Sequence, residues 1–154
     1  MKKVLVVFDT KFGNTEQVGR EIAAGIEETG AAECKVVGIK EVNAEDIASY
    51  DGVLFGGPVH AFRATRGIKG AIGDVAKRGL DGKLVSSFDT HQSPGHKGNA
   101  SRQIEGEVAK KAPGAKIFTP GLSARVDGYE GPLNAAEPAR AREFGKRFAD
   151  ELTG

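Results

Sequence analysis

The chain has 154 residues, enough to bury one core and too few for two domains of ordinary size, so a single domain spanning 1–154 is expected. Its 22 Lys and Arg against 21 Asp and Glu leave a formal net charge of +1, which argues against a nucleic-acid-coating protein and against an acidic, solvating tail. The single cysteine excludes an internal disulfide, and no apolar run approaches the ~20 residues of a membrane helix, so a cytoplasmic protein without membrane insertion is expected.

Short β-branched runs alternate with helical patterns along the chain. KVLVVF (3–8) opens the series and is nearly all apolar, as a strand buried on both faces should be. Val18, Ile22 and Ile26 then recur at helical spacing, followed by a second strand over 34–39, where Cys34 reads as a strand residue rather than a nucleophile. A short helix is predicted at 44–49, with Asn43 as cap and Asp46 three residues on, as in a capping box. GVLFG (52–56) is the third strand, and Ile68, Ile72 and Val75 mark the next helix. KLVSSF (83–88) is the fourth strand, Ile104 and Val108 the helix after it, AKIFT (115–119) the fifth strand, and Phe144, Phe148 and Leu152 the last helix.

Five strands alternating with helices imply right-handed crossovers and a parallel sheet covered on both faces, a three-layer α/β sandwich. Ligands in such sheets bind beyond the carboxyl ends of the strands, which directs attention to the loops at 9–15, 57–66 and 89–99.

The first of these loops reads DTKFGNTEQVGREI. Thr10, Gly13, Asn14 and Thr15 place hydroxyl and amide groups beside free backbone N–H groups at a helix start, where the helix dipole favours an anion. A plain helix cap by Asn14 or Thr15 is the alternative. The segment is neither a Walker loop nor G-x-G-x-x-G, which disfavours P-loop nucleotides and dinucleotides.

Here the chain resembles the flavodoxin family, whose FMN-phosphate loop has the form Ser/Thr-x-Thr-Gly-Asn-Thr. Thr10, Lys11, Phe12, Gly13, Asn14 and Thr15 match it at four positions, with Phe12 in place of the middle Thr. The resemblance extends over the strand pattern, the loop GGPVHAF and the late segment PGLSARVDG. It implies a flavodoxin-like sheet of order 2-1-3-4-5 with an uninterrupted fifth-strand region, as in short-chain members. It also implies FMN as cofactor, redox function, and a partner that is a redox protein, a nicotinamide nucleotide or a small acceptor.

By the same resemblance the flavin ring would lie between two loops. The backbone of Pro58, Val59, His60 and Ala61 would meet the ring edge, with His60 or Phe62 supplying a flat face. Asp89, Thr90, His91, Gly95 and His96 would line the other side, where the family often has a Tyr. Many one-electron members carry Gly after the first aromatic, so that a peptide can flip. Ala61 stands there instead, and the cost of positive φ for Ala points to weaker stabilisation of the one-electron-reduced flavin and to two-electron chemistry. Lys11, Arg63, Arg66, Lys69, Lys97 and Arg102 fall on or beside these loops as a cationic rim for anionic partners, the phosphate of a nicotinamide nucleotide among them.

Four other readings are weaker. His60, His91 and His96 with Asp89 resemble a metal set, but loop residues alone preorganise little, and no metal is expected. Asp89-Thr90-His91 resembles the Asp-x-His-x-x-Gly signature of cobalamin-binding domains, yet Gly95 comes one residue late and the motif follows the wrong strand. A phosphoacceptor receiver would need an aspartate where Gly56 and Gly57 stand. Nucleophilic catalysis lacks a Ser-His or Cys-His pair. The alternative of a different class is a flavodoxin-like domain that binds or regulates without flavin, motivated by Phe12, Val59 and the absent second-loop Tyr.

Overall fold

Strand β1 (Lys2–Phe8) is an inner strand of a parallel sheet, paired on one side with the edge strand β2 (Ala32–Gly38) and on the other with β3 (Gly52–Pro58). Next come β4 (Leu84–His91) and, along its far side, β5 (Lys116–Ile117) followed by β6 (Leu122–Arg125), in the order 2-1-3-4-5. A computed structural model describes residues 1–154, and the order is the one the sequence implies.

The runs called strands form because their apolar side chains are shared between two cores. Val4, Val6, Leu54 and Phe88 face one side, where α1 (Asn14–Glu28) and α4 (Glu137–Thr153) cover them. Leu5, Val7, Val53, Phe55 and Val85 face the other, under α2 (Arg66–Arg78) and α3 (Asn99–Lys111). The strict alternation along β1 and β3 is the period-2 side-chain geometry of a strand with no solvent face. Helices α1 and α4 approach closely because each presents a glycine: a Cβ on Gly25 would strike the Arg142 carbonyl, and one on Gly145 the Ile22 carbonyl.

Three expectations change. Strand β4 continues to His91 rather than ending at 88, so Asp89, Thr90 and His91 are strand residues and the loop is correspondingly shorter. The predicted fifth strand over 115–119 is shorter, Lys116–Ile117: Phe118 still donates to the Val85 carbonyl, and the chain leaves the ladder over Thr119–Gly121, where Pro120 has no N–H to donate, before β6 resumes the pairing. The short helix over Ala44–Ser49 is a 3-10 helix; Asn43 caps it by accepting from the Glu45 N–H, with no reciprocal bond from Asp46.

Parallel pairing brings the carboxyl ends of β1, β3, β4 and β6 to one edge of the molecule. The loops at that edge build the site described next.

Candidate functional site

The turn after β1 is shaped by its own polar groups. Thr10 Oγ1 accepts from the Gly13 N–H at 2.9 Å, and Gly13 takes φ +90°, a conformation open to glycine and costly for other residues. No side chain caps α1, and its first backbone bond from the turn is Gln17 N–H to the Gly13 carbonyl, so the amides of Asn14, Thr15 and Glu16 keep the unpaired character of a helix start. The plain-cap alternative is thereby set aside. Thr15 points inward, its hydroxyl 2.9 Å from that of Thr90, and this pair ties the turn to β4.

After β3 the chain makes a two-residue hairpin. His60 and Arg63 exchange both backbone bonds at 2.8 Å, and the residues between them, Ala61 and Phe62, hold φ +47° and +68°. Positive φ at both central positions is the signature of a type I′ turn, which favours Asn-Gly; Ala-Phe there stores strain. The hairpin is braced from α3, where the Gln103 carboxamide accepts from the Ala64 N–H (2.8 Å) and donates to the Phe62 carbonyl (3.2 Å). Thr65 caps α2 and donates to Asp9 at 2.5 Å, fastening the hairpin's exit to the end of β1.

Two expectations fail here. Ala61 already occupies the positive-φ region, so its cost is met in the resting fold and the sequence argument for weaker one-electron stabilisation loses its premise. The Val59 and His60 amides are also committed, to the Thr90 and Arg63 carbonyls, and Pro58 has no N–H, so of the four residues only Ala61 keeps an amide for a ligand edge.

Between these loops lies a cavity of about 400 Å³, within the usual range for small-molecule sites. The structure brings Thr10, Lys11, Phe12, Asn14, Thr15, Pro58, Val59, His60, Ala61, Thr90, His91 and His96 together on its wall. Gly13, Phe62, Asp89 and Gly95 do not reach it. Gly13 shapes the turn behind it. Phe62 is 64% exposed and packs edge-on against His96, ring centres 4.4 Å apart, rather than lying in either the cavity or the core. Asp89 is fully buried on the opposite side of β4, accepting from Ser123 Oγ and from the Ser101 N–H at 2.9 Å. Gly95 is exposed within the 3-10 turn Pro94–His96.

Gln92, Ser93, Val126 and Tyr129 complete the wall and were not anticipated. Tyr129 comes from the loop after β6. Its ring meets Phe12 edge-on at 5.2 Å, and Lys11 Nζ sits 5.3 Å from the ring centre and donates to the phenol oxygen at 2.8 Å. Asn14 Nδ2 donates to the Glu130 carbonyl at 3.1 Å, so the first and last loops clasp across the cavity mouth. The sequence signal was an aromatic inside the turn-rich run DGYEG, which no strand or helix pattern marks. Of the six basic residues expected as a rim, only Lys11 lines the cavity.

A larger concavity of about 820 Å³ lies at the opposite end of the sheet, lined by Lys2, Asp51, Lys83 and Lys116. It opens beside the amino ends of the strands, where parallel sheets do not place ligands. Cys34 stays out of both: burial first, then the nearby Glu27 and Glu33 carboxylates, push its thiol up to about 12, which leaves it protonated and inert. No three His, Cys, Asp or Glu side chains converge on a metal-binding arrangement, and no helix is long and apolar enough to cross a membrane.

Known proteins agree with this arrangement. The family model for the flavodoxin domain matches residues 5–70, which contain both the Thr10–Thr15 turn and the hairpin after β3. A flavodoxin of Clostridium saccharobutylicum is 26% identical over 157 aligned residues, covering 97% of each chain. A solved archaeal flavodoxin superposes with a TM-score of 0.85 at 16% identity over 99% of both chains. The flavodiiron core of Flv1 from Synechocystis sp. PCC6803 superposes at 0.80 and 20% identity, covering 99% of this chain and 36% of that one. The likeness to flavodoxins runs from the first turn to the last helix, and the fold is that of a flavodoxin.

Proposed function

We propose that this protein binds FMN in the 400 Å³ cavity and carries electrons to and from a redox partner. Flavodoxins bind FMN, and the observation that carries the reading to this chain is the uncapped start of α1, opening into a cavity walled by flat rings.

The donor set fits the cofactor. A phosphate needs several N–H and O–H donors and a positive potential, and the amides of Asn14, Thr15 and Glu16, the helix dipole and the Thr10 hydroxyl supply both. A flat aromatic ring system needs apolar faces, and Tyr129, Phe12 and His60 offer them beside Pro58 and Val59. Once bound, FMN supplies the electron-carrying chemistry. The protein's residues hold and orient it: the Thr10–Thr15 turn grips one end, the braced hairpin fixes the other, and the Tyr129 loop shields the mouth from water. Arg63 and Arg66, exposed and without ion-pair partners, lie beside the hairpin and favour an electron partner with an anionic surface or phosphate.

The test is an absorption spectrum of the purified protein before and after incubation with FMN. Flavin bands, and quenching of free-flavin fluorescence on titration, are the expected result. Absence of both would abandon the redox reading in favour of a flavin-free binding module.

A further inference from the structure

His91 stands at the end of β4, 6% exposed, and lines both the 400 Å³ cavity and a smaller cavity of about 310 Å³. Its Nδ1 lies 2.8 Å from Ser123 Oγ, and the hydrogen bonds around that oxygen decide which ring nitrogen carries the proton.

Ser123 Oγ has one proton to give and two lone pairs. It accepts from the Gly98 N–H at 2.8 Å. It also contacts Asp89 Oδ1, and the other oxygen of that carboxylate accepts from the Ser101 N–H. A carboxylate can only accept, so the single Ser123 proton goes to Asp89. Ser123 must then accept from His91, and the neutral ring is the Nδ1–H tautomer. The remaining nitrogen, Nε2, is left as an acceptor. It has no protein partner, and no buried side-chain nitrogen or oxygen lacks one, so Nε2 meets open space. Ser123 lines the smaller cavity alone and holds Nδ1, whereas His91 lines both cavities, so Nε2 is the ring nitrogen left available to a ligand in the larger one.

We propose that the Asp89–Ser123 pair locks His91 in the Nδ1–H tautomer, so that Nε2 accepts a hydrogen bond from an N–H or O–H group of the cofactor. His91 is thus a specificity-determining residue that selects a donor at that point of the ligand. Asp89 Oδ1 lies 3.8 Å from Nδ1, on the proton-bearing side of the ring. In the smaller cavity the Glu137 carboxylate is occupied by Arg140 and by the Arg125 N–H, leaving it no part in the imidazole's bonding. The inference rests on the FMN reading above.

Two measurements test it. Nitrogen-15 NMR of the full chain without flavin, at a pH where the ring is neutral, is expected to show a protonated Nδ1 and a bare Nε2, and the Ser123→Ala variant to lose that preference. A Nε2–H ring would mean that the chain of bonds runs the other way and would overturn the proposal. FMN titration followed by flavin fluorescence is then expected to give about tenfold weaker binding for His91→Phe, which keeps a flat ring without an acceptor, and near-native binding for His91→Gln. Circular dichroism and thermal midpoints check that both variants fold. Equal affinity of His91→Phe and the parent overturns this inference alone, whereas a parent that binds no FMN overturns the functional reading with it.

Discussion

The hydroxyl of Thr15, in the first turn of α1, lies 2.9 Å from that of Thr90, near the end of β4, and both are buried. This contact couples the Thr10–Thr15 turn to the end of β4, across 75 residues of sequence. Thr90→Val removes one partner and strands the Thr15 hydroxyl, an expected loss of about 1–3 kcal/mol of stability with weaker FMN binding. Urea denaturation measures the first and flavin titration the second. Thr15→Val combined with Thr90→Val should cost less than the sum of the single changes, because neither hydroxyl is then left without a partner.

The layering of the fold was legible because period and composition agreed: the apolar runs of β1 and β3 and the helical spacing of Val18, Ile22 and Ile26 point to the same sandwich. The end of β4 was not, since Asp89, Thr90 and His91 read as loop residues by type. They stay in the strand because Ser123, Ser101 and Thr15 satisfy their polar groups inside the fold, and such partners come from distant sequence. The first turn of the site was legible from local chemistry. Tyr129 was not, because its place at the cavity depends on how the loop after β6 folds back over Lys11 and Asn14.

The hairpin at Ala61 and Phe62 holds two non-glycine residues at positive φ. Ala61→Gly relieves one of them. The left-handed region costs an alanine about 1–2 kcal/mol, and the added freedom of the unfolded glycine takes back about 0.4–1 kcal/mol. A net gain of about 0.5–1 kcal/mol in urea denaturation is expected, and a loss would show that the turn is not strained at this residue.

The Tyr129 side chain meets the first loop at Lys11 and Phe12. Tyr129→Ala removes an aromatic face worth about 0.5–1.5 kcal/mol beyond its area, so FMN affinity should fall up to about tenfold with little change in folding stability, since the ring is 65% exposed. Lys11→Met should show part of the same loss. A double-mutant cycle in flavin titration is expected to find the two effects coupled, and strict additivity would refute the clasp.

Packing of α1 against α4 depends on Gly25 and Gly145, where a methyl group would press on the backbone of the opposite helix. Gly145→Ala trades a gain in helix propensity of about 1 kcal/mol for overpacking that costs about 1–3 kcal/mol, so a net loss is expected. Lys77→Ala on the exposed side of α2 serves as the control. Thermal denaturation that leaves Gly145→Ala at or above the parent would show that the helices can move apart at no cost.

Cys34 gives a test at alkaline pH. Burial raises its thiol from an ordinary 9.0 to about 12 in the folded chain. Below pH 9 the thiol is protonated in both states and contributes no pH dependence. Between about 9 and 12 the unfolded chain releases a proton that the folded chain still holds, which favours unfolding, so this contribution to stability is lost as pH rises through that window. Urea midpoints of the parent should therefore fall relative to Cys34→Val above pH 9 and run parallel below it. Alkylation by iodoacetamide at pH 9 reads the same property directly: it should be slow in buffer and fast in denaturing urea, because only the thiolate attacks. Equal rates in the two conditions would place the thiol in solvent rather than against Glu27 and Glu33 at the sheet edge.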